Sequence, residues 1–400
     1  MGRDPDAHTS RPLRARRRNR AILGAAALVA LLLAIVTAAG GVGSSTDPRQ
    51  TATLSVQPFA PTLGADATGD AHHLWVAAYG RSAAGIGVVI YHHNRRGDWT
   101  PHPEQLPAPV DEDSPVSLTL NQDEPCIGYN VNQAPVVYCR HRTWSKLRGI
   151  EAGRRMRLVE LTSCQSVLYA LLADATSGSL AVWQHSPSSR WTPTGNNLPI
   201  RAAIGHFVAN AAGRCPGVNV ATQSSIRGQT TRAIWSRART GWKQTSQLPA
   251  AAMGPFLSGP IQLRDGTLAF PIVTASSRPW RFSVLTKRRG SAWQPANPRP
   301  LNTGPGDAQG VLAASQAATW AIWQQNAVNT SGTFATRILV AAIHTPDLSI
   351  GRPRELWSGT SIGPAPVDVV HALGRDWALY LPAASTTTPE LRVVVRPLTG

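Results

Sequence analysis

The chain has 400 residues, with 39 Lys and Arg against 22 Asp and Glu, a formal net charge of +17 at pH 7 and 13 tryptophans. An excess of that size invites nucleic acid as a partner. However, 36 of the cations are arginines scattered through the chain, no basic run stands beyond the first twenty residues, and no nucleic-acid-binding motif accompanies them, so that class is set aside. The arginine, alanine and glycine usage instead has the look of a bacterial coding bias.

The first twenty residues carry Arg3, Arg11, Arg14, Arg16, Arg17, Arg18 and Arg20 against Asp4 and Asp6. Residues 21–43, AILGAAALVALLLAIVTAAGGVG, then run without a charge. A hydrocarbon core of roughly 30 Å needs about 20 apolar residues at about 1.5 Å each, so this segment is long enough to span as a helix. Its basic flank predicts a cytoplasmic N-terminus (residues 1–20), and an extracytoplasmic remainder follows a short linker at 44–50. Cleavage after Ala39 is the competing reading, since Thr37-Ala38-Ala39 offers a small-x-small site, but the apolar run exceeds the usual signal-peptide length. The expectation is a single-pass cell-membrane protein, monomeric, with residues 21–43 as its membrane contact.

Beyond residue 50 the tryptophans set a period. Trp99, Trp144, Trp191, Trp242 and Trp293 follow one another at 45, 47, 51 and 51 residues, and Trp357 comes after a longer gap. Each of the first five sits after an apolar run and a short polar turn, and Leu106, Leu198 and Leu248 follow at a near-constant distance. Further runs at 74–79, 167–172, 217–222, 267–272, 319–324 and 377–382 are β-branched and aromatic, alternate with period two, and are bounded by Gly, Pro and Asn, which predicts strands. Four strands in a unit of 40–50 residues is the pattern of a β-propeller. Residues 51–400 hold seven units of about fifty; six and eight are the alternatives. The last unit lacks its outer strand, and residues 51–59 lack a partner. Pairing the two would close the ring and remove two open edges.

An exported chain with four cysteines predicts two disulfides. Cys126 and Cys139 bracket two apolar runs about a turn at Asn132-Gln133-Ala134. Cys164 and Cys215 both stand 27 residues before a repeat tryptophan, which puts them at one position in neighbouring units. No CxxC spacing suggests redox or zinc chemistry.

Two local groups carry possible chemistry. His72-His73 and His92-His93 should come opposite one another in a hairpin turning near residues 82–84, one from each pair on either face. With Asp70 or Asp98 they are candidate zinc or copper ligands. Against this, His93 and His185 both lie six residues before a repeat tryptophan, which marks an ordinary repeat position. Asp111, Glu112 and Asp113, with Asp123 and Glu124, form the densest carboxylate group, a candidate for Ca²⁺ or glycoside hydrolysis and otherwise a solvated loop. Trp320 and Trp323 should point to opposite faces of one strand. Asn329-Thr330-Ser331 is a glycosylation sequon with no bearing in a bacterium.

The units resemble those of BNR/sialidase-like and Kelch-like propellers, above all LRDGTLAFPI at 263–272. The aspartate box of sialidases is not reproduced: Gly290 has the right offset from Trp293, but Arg288 stands at the aspartate position, and no arginine triad is present. The resemblance therefore implies architecture and no catalytic residues. The expected role is a non-catalytic binding or scaffold module at the cell envelope, without a required cofactor and with a protein or cell-wall glycan as partner. A sialidase-like, glycan-acting hydrolase is the alternative.

Overall fold

The computed structural model describes residues 53–398, except for several loops, among them 96–98, 201–203, 211–217, 249–258, 329–333 and 383–391. These residues form seven antiparallel sheets of four main strands each. The innermost strands, in ring order, are Thr62–Gly69, Ser117–Asn121, Met156–Cys164, Ile204–Phe207, Ile261–Gln262, Asp307–Ala314 and Ala365–Ala372. Blades one to seven are numbered by these strands. Neighbouring inner strands pack against one another round the ring. Between blades four and five the contact is a short parallel ladder, Ala209 opposite Ile261 and Asn210 opposite Gln262.

The ring closes with Leu54–Val56, which pairs antiparallel with Val393–Leu398 as the outer strand of blade seven, Leu54 opposite Val395. The blade count of seven and the closing role expected for residues 51–59 both hold. Each predicted alternating run belongs to the second strand of a blade, as in His73–Ser82, Val167–Asp174 and Thr319–Val328.

Successive residues of these second strands turn to opposite faces of the blade, and because neighbouring blades cover both faces the runs are buried almost continuously, as from Leu74 to Ala78. In blade one, Leu74, Val76 and Ala78 are buried against Trp377 and Leu379 of blade seven. Trp75 and Ala77 on the other face are buried with Ile127 and Tyr129 of blade two. Trp320 and Trp323 do the same in blade six: Trp323 packs with Phe282 toward blade five, while Trp320 faces blade seven and donates its indole N–H to Asp376 at 2.7 Å.

The repeat tryptophans stand at or just before the outer strand of each blade, and three of them reach backward. Trp144 Nε1 donates to Glu104 of blade one at 2.7 Å. Trp242 donates to the Asn196 carbonyl of blade three at 3.0 Å, and Trp293 to the Gln247 carbonyl of blade four at 2.9 Å. At Trp144, Trp242 and Trp293 the repeat tryptophan is thus a latch between blades, an aromatic plate with a polar handle satisfied by the preceding unit, whereas the buried Trp191 indole makes no such bond.

Hairpins joining first to second strands, such as 69–73, 121–124 and 164–167, lie at one end of the ring, called the top face below. Those joining second to third strands, such as 82–85, 131–134 and 174–180, lie at the bottom face. Several hairpins turn on two residues of positive φ: Gln122 and Asp123, Asn132 and Gln133, Gln165 and Ser166. That backbone twist matches the twist of the flanking strands.

Cys126 and Cys139 are direct cross-strand partners in blade two and form a buried disulfide with Cα atoms 4.1 Å apart. The bridge encloses a loop with a sequence separation of 13. Replacing both cysteines by serine is expected to cost about 3 kcal/mol, read as a lower urea midpoint. Cys164 ends the inner strand of blade three and is also disulfide-bonded. Its expected partner, Cys215, lies outside the described residues, as do the apolar segment 21–43 and the 329–331 sequon. Among the described residues no helix is long and apolar enough to cross a membrane.

Candidate functional site

The hairpin of blade one brings together half of the histidine set. His73 Nδ1 and His92 Nε2 are 2.9 Å apart and share a hydrogen bond. The His92 ring stacks on Trp75 at 3.9 Å between centroids, and the Arg140 guanidinium of blade two lies 5.1 Å from the same indole. Arg140 is held in turn by Glu104, through Nε at 3.1 Å and Nη2 at 3.0 Å. Burial, with His73 and Arg140 nearby, pushes His92 down to about 4, so its ring is neutral at pH 7.

The other two histidines stand apart. His72 is exposed in the turn, where its backbone N–H caps Asp70. His93 is buried on the opposite sheet face, edge-on to Trp99 and Trp377 at 4.8 and 5.2 Å. His185 makes the equivalent contact with Trp191 at 5.2 Å, so His93 and His185 both fill the same position beside a repeat tryptophan. Asp98 lies outside the described residues. Among those described, no group of three or more His, Cys, Asp or Glu is placed to hold a metal ion. The two histidines that meet are bonded to each other beside an arginine, a setting poorly suited to a cation.

The acidic group of blade two is divided between the ends of one strand. Asp111 sits at the bottom face and accepts the N–H groups of Asn132 and Gln133 at 2.8 and 2.7 Å. Glu112 pairs with Arg81, and Asp113 with Arg157. Asp123 and Glu124 belong to the top hairpin, where Glu124 pairs with His141. The eight residues of Glu124–Val131 separate the two sets by roughly 23 Å at about 3.3 Å per residue. These five carboxylates therefore do not form the common site their sequence clustering suggested.

Convergent acids do exist, at residues sequence reading passed over. Asp66, Glu160 and Asp368 lie mid-length in the inner strands of blades one, three and seven and repel one another across the ring. Burial, then the neighbouring Asp368, raises Asp66 to about 8, against the N–H bonds it accepts from Leu118 and Ala67. Burial raises Asp368 to about 7. Asp66 ties blade one to Leu118 of blade two at 2.6 Å, and Glu160 ties blade three to Phe207 of blade four at 2.9 Å. Both act as clips between inner strands. The available signal was a lone charge between small apolar residues, Ala65-Asp66-Ala67 and Val367-Asp368-Val369.

A polar cavity lies at the top face between blades four and five, with a volume of about 650 Å³. The turn after Arg281–Lys287 supplies Lys287, Arg288 and Arg289, and blade four supplies Ser236, Thr245 and Ser246. Lys287 Nζ donates to Ser246 Oγ at 3.0 Å and stands 6.0 Å from the Trp293 ring. The one carboxylate in the lining, Asp265, is committed to Thr267: Oδ1 accepts its N–H and Oδ2 its hydroxyl, both at 2.9 Å. Three cations against one such acid give the groove a positive balance. The Lys-Arg-Arg run was legible as a dense basic cluster, and counting the arginines as scattered missed it.

No family model matches the chain, and no curated protein matches it. Among solved structures, the polysaccharide lyase Uly1 is similar at 9% identity and TM-score 0.53, over 83% of this chain and 90% of the lyase. The WD40 domain of Toxoplasma gondii coronin is similar at 8% identity and TM-score 0.48, over 86% and 85% of the two chains. A protein from Lactobacillus plantarum is similar at 14% identity and TM-score 0.45, over 82% and 99%. At these identities the likeness is one of fold alone.

Proposed function

We propose that this protein is an N-terminally anchored, extracytoplasmic propeller that binds an anionic polymer of the cell envelope in the groove between blades four and five. The observation that carries the reading is the convergence of Lys287, Arg288 and Arg289 on a cavity of about 650 Å³ lined by serine and threonine hydroxyls. Guanidinium groups recognise carboxylates, sulfates and phosphates through paired, charge-assisted hydrogen bonds, and hydroxyls add contacts to a polyol backbone. The membrane address rests on the apolar run 21–43 and its basic flank. The test is titration of the full chain with polygalacturonate and with neutral dextran. Polygalacturonate should bind, weaken as salt rises, and lose about tenfold or more in affinity in the K287A/R288A/R289A variant at unchanged melting temperature. Equal binding of both polymers, or a variant indistinguishable from the parent, sinks the reading.

A second reading, a glycan-acting hydrolase, is favoured by one observation: Asp66 and Asp368 carry carboxyls raised to about 8 and 7, the protonation range of a general acid. Hydrolysis of a glycan panel that disappears in Asp66→Asn and Asp368→Asn, with the groove variant still active, would favour it over binding.

A further inference from the structure

We propose that blade three carries a second binding site, at the bottom face, for a neutral pyranose sugar. A cavity of about 490 Å³ opens there, independent of the basic groove and at the opposite end of the ring. Its floor is Trp183, half-buried between strands, with Ala170 and Pro193 as its cross-strand partners and Met156 and Ala181 beside it. Trp183 both packs on the core shared with blade two and lines the cavity. Such a plate suits the apolar C–H face of a pyranose whose hydroxyls lie equatorial.

The polar groups at the rim are few and arranged around that plate. Asp174 is fixed by its hairpin: its Oδ1 accepts the backbone N–H groups of Thr176 and Ser177 at 2.8 and 2.7 Å. Those bonds hold the carboxyl below its usual range, so it is an ionised acceptor for sugar hydroxyls at any physiological pH. Arg155 is close enough to add to this effect, and its carbonyl accepts the Ala175 N–H at 3.0 Å. Asn197 completes the rim with an amide that both donates and accepts. One acid offset by one base, with an amide and an aromatic plate, selects an uncharged polyhydroxylated ligand. The basic groove, with three cations to one committed acid, selects the opposite.

The experiment is titration of the full chain with cellotriose and N,N′,N″-triacetylchitotriose, both uncharged, read by ligand-observed NMR and by tryptophan fluorescence. Binding in the millimolar range is expected, with Trp183→Ala and Asn197→Ala each lowering affinity at least about fivefold, about 1 kcal/mol. Asp174→Asn should do the same; because it also loosens the 174–180 hairpin, the exposed Asn197 provides the variant that leaves the fold untouched. K287A/R288A/R289A should bind both sugars as the parent does, so the outcome is separate from that of the groove. No signal at about 10 mM of either trisaccharide, or binding unchanged in Trp183→Ala and Asn197→Ala, overturns the proposal.

Discussion

A chain lacking residues 51–59 should lose roughly 5 kcal/mol of stability and aggregate at concentrations the parent tolerates. The deletion removes Leu54 and Phe59, both buried in the core shared by blades seven and one, each contributing about 1.5–3 kcal/mol. It also strips the ladder from Val393–Leu398. The exposed edge would then read Val393-Val394-Val395, a β-branched run with free backbone donors and acceptors, the kind of edge that recruits a second chain. Urea denaturation at two protein concentrations measures both effects. Adding the peptide TATLSVQPF in trans should recover part of the loss, because the ladder needs the strand and not its covalent link. An unchanged midpoint would mean the ring is held by its other interfaces alone.

Stability should also fall as the solution is made alkaline, which is unusual for a protein with so basic a composition. Asp66 and Asp368 are raised in the folded state, so their contribution is complete below about pH 4 and is lost as pH climbs through about 7 and 8. His92 works in the other direction. Its folded value of about 4 lies below the ordinary imidazole value, so its contribution is present above about pH 6.5 and is lost as pH falls toward 4. Between about pH 4 and 6.5 two carboxyls oppose one imidazole, so the net contribution of the three groups falls from about pH 4 upward. Both carboxyls keep some exposure inside the ring, so the loss by pH 9 is set at about 2 kcal/mol per group rather than the full equivalent of the shifts. Asp368→Asn should flatten the alkaline side of the profile: it accepts one N–H, from Val369, which an asparagine oxygen can also accept. Thermal melts of parent and variant from pH 5 to 9 decide the matter. A variant whose alkaline decline matches the parent's would show that Asp368 is solvated in the fold.

What could be read from the chain before folding follows a physical division. The blade frame was legible because the repeat tryptophans occupy one packing position again and again, and each repeat restates the constraint. Cys126 with Cys139, and His73 with His92, were legible because a hairpin brings them together within 13 and 19 residues. The acids at 111–113 and 123–124 misled for a related reason: neighbours in sequence sit at opposite ends of a strand once it is extended. Asp66, Glu160 and Asp368 meet only because the ring closes, and nothing local announces them. The groove depends on blades four and five coming side by side, with Lys287 reaching Ser246 across 41 residues. Only its cationic half was written in one place.

The strand Leu54–Val56 has a mechanical meaning as well. Any pull transmitted through the N-terminal segment reaches the folded ring first at three residues, Leu54, Ser55 and Val56, paired with Val395, Val394 and Val393. Six blades carry their own outer strands and feel no direct load. Under such a load the seventh blade is therefore expected to open before the other six, because its outer strand is the one not joined to its own sheet by a hairpin.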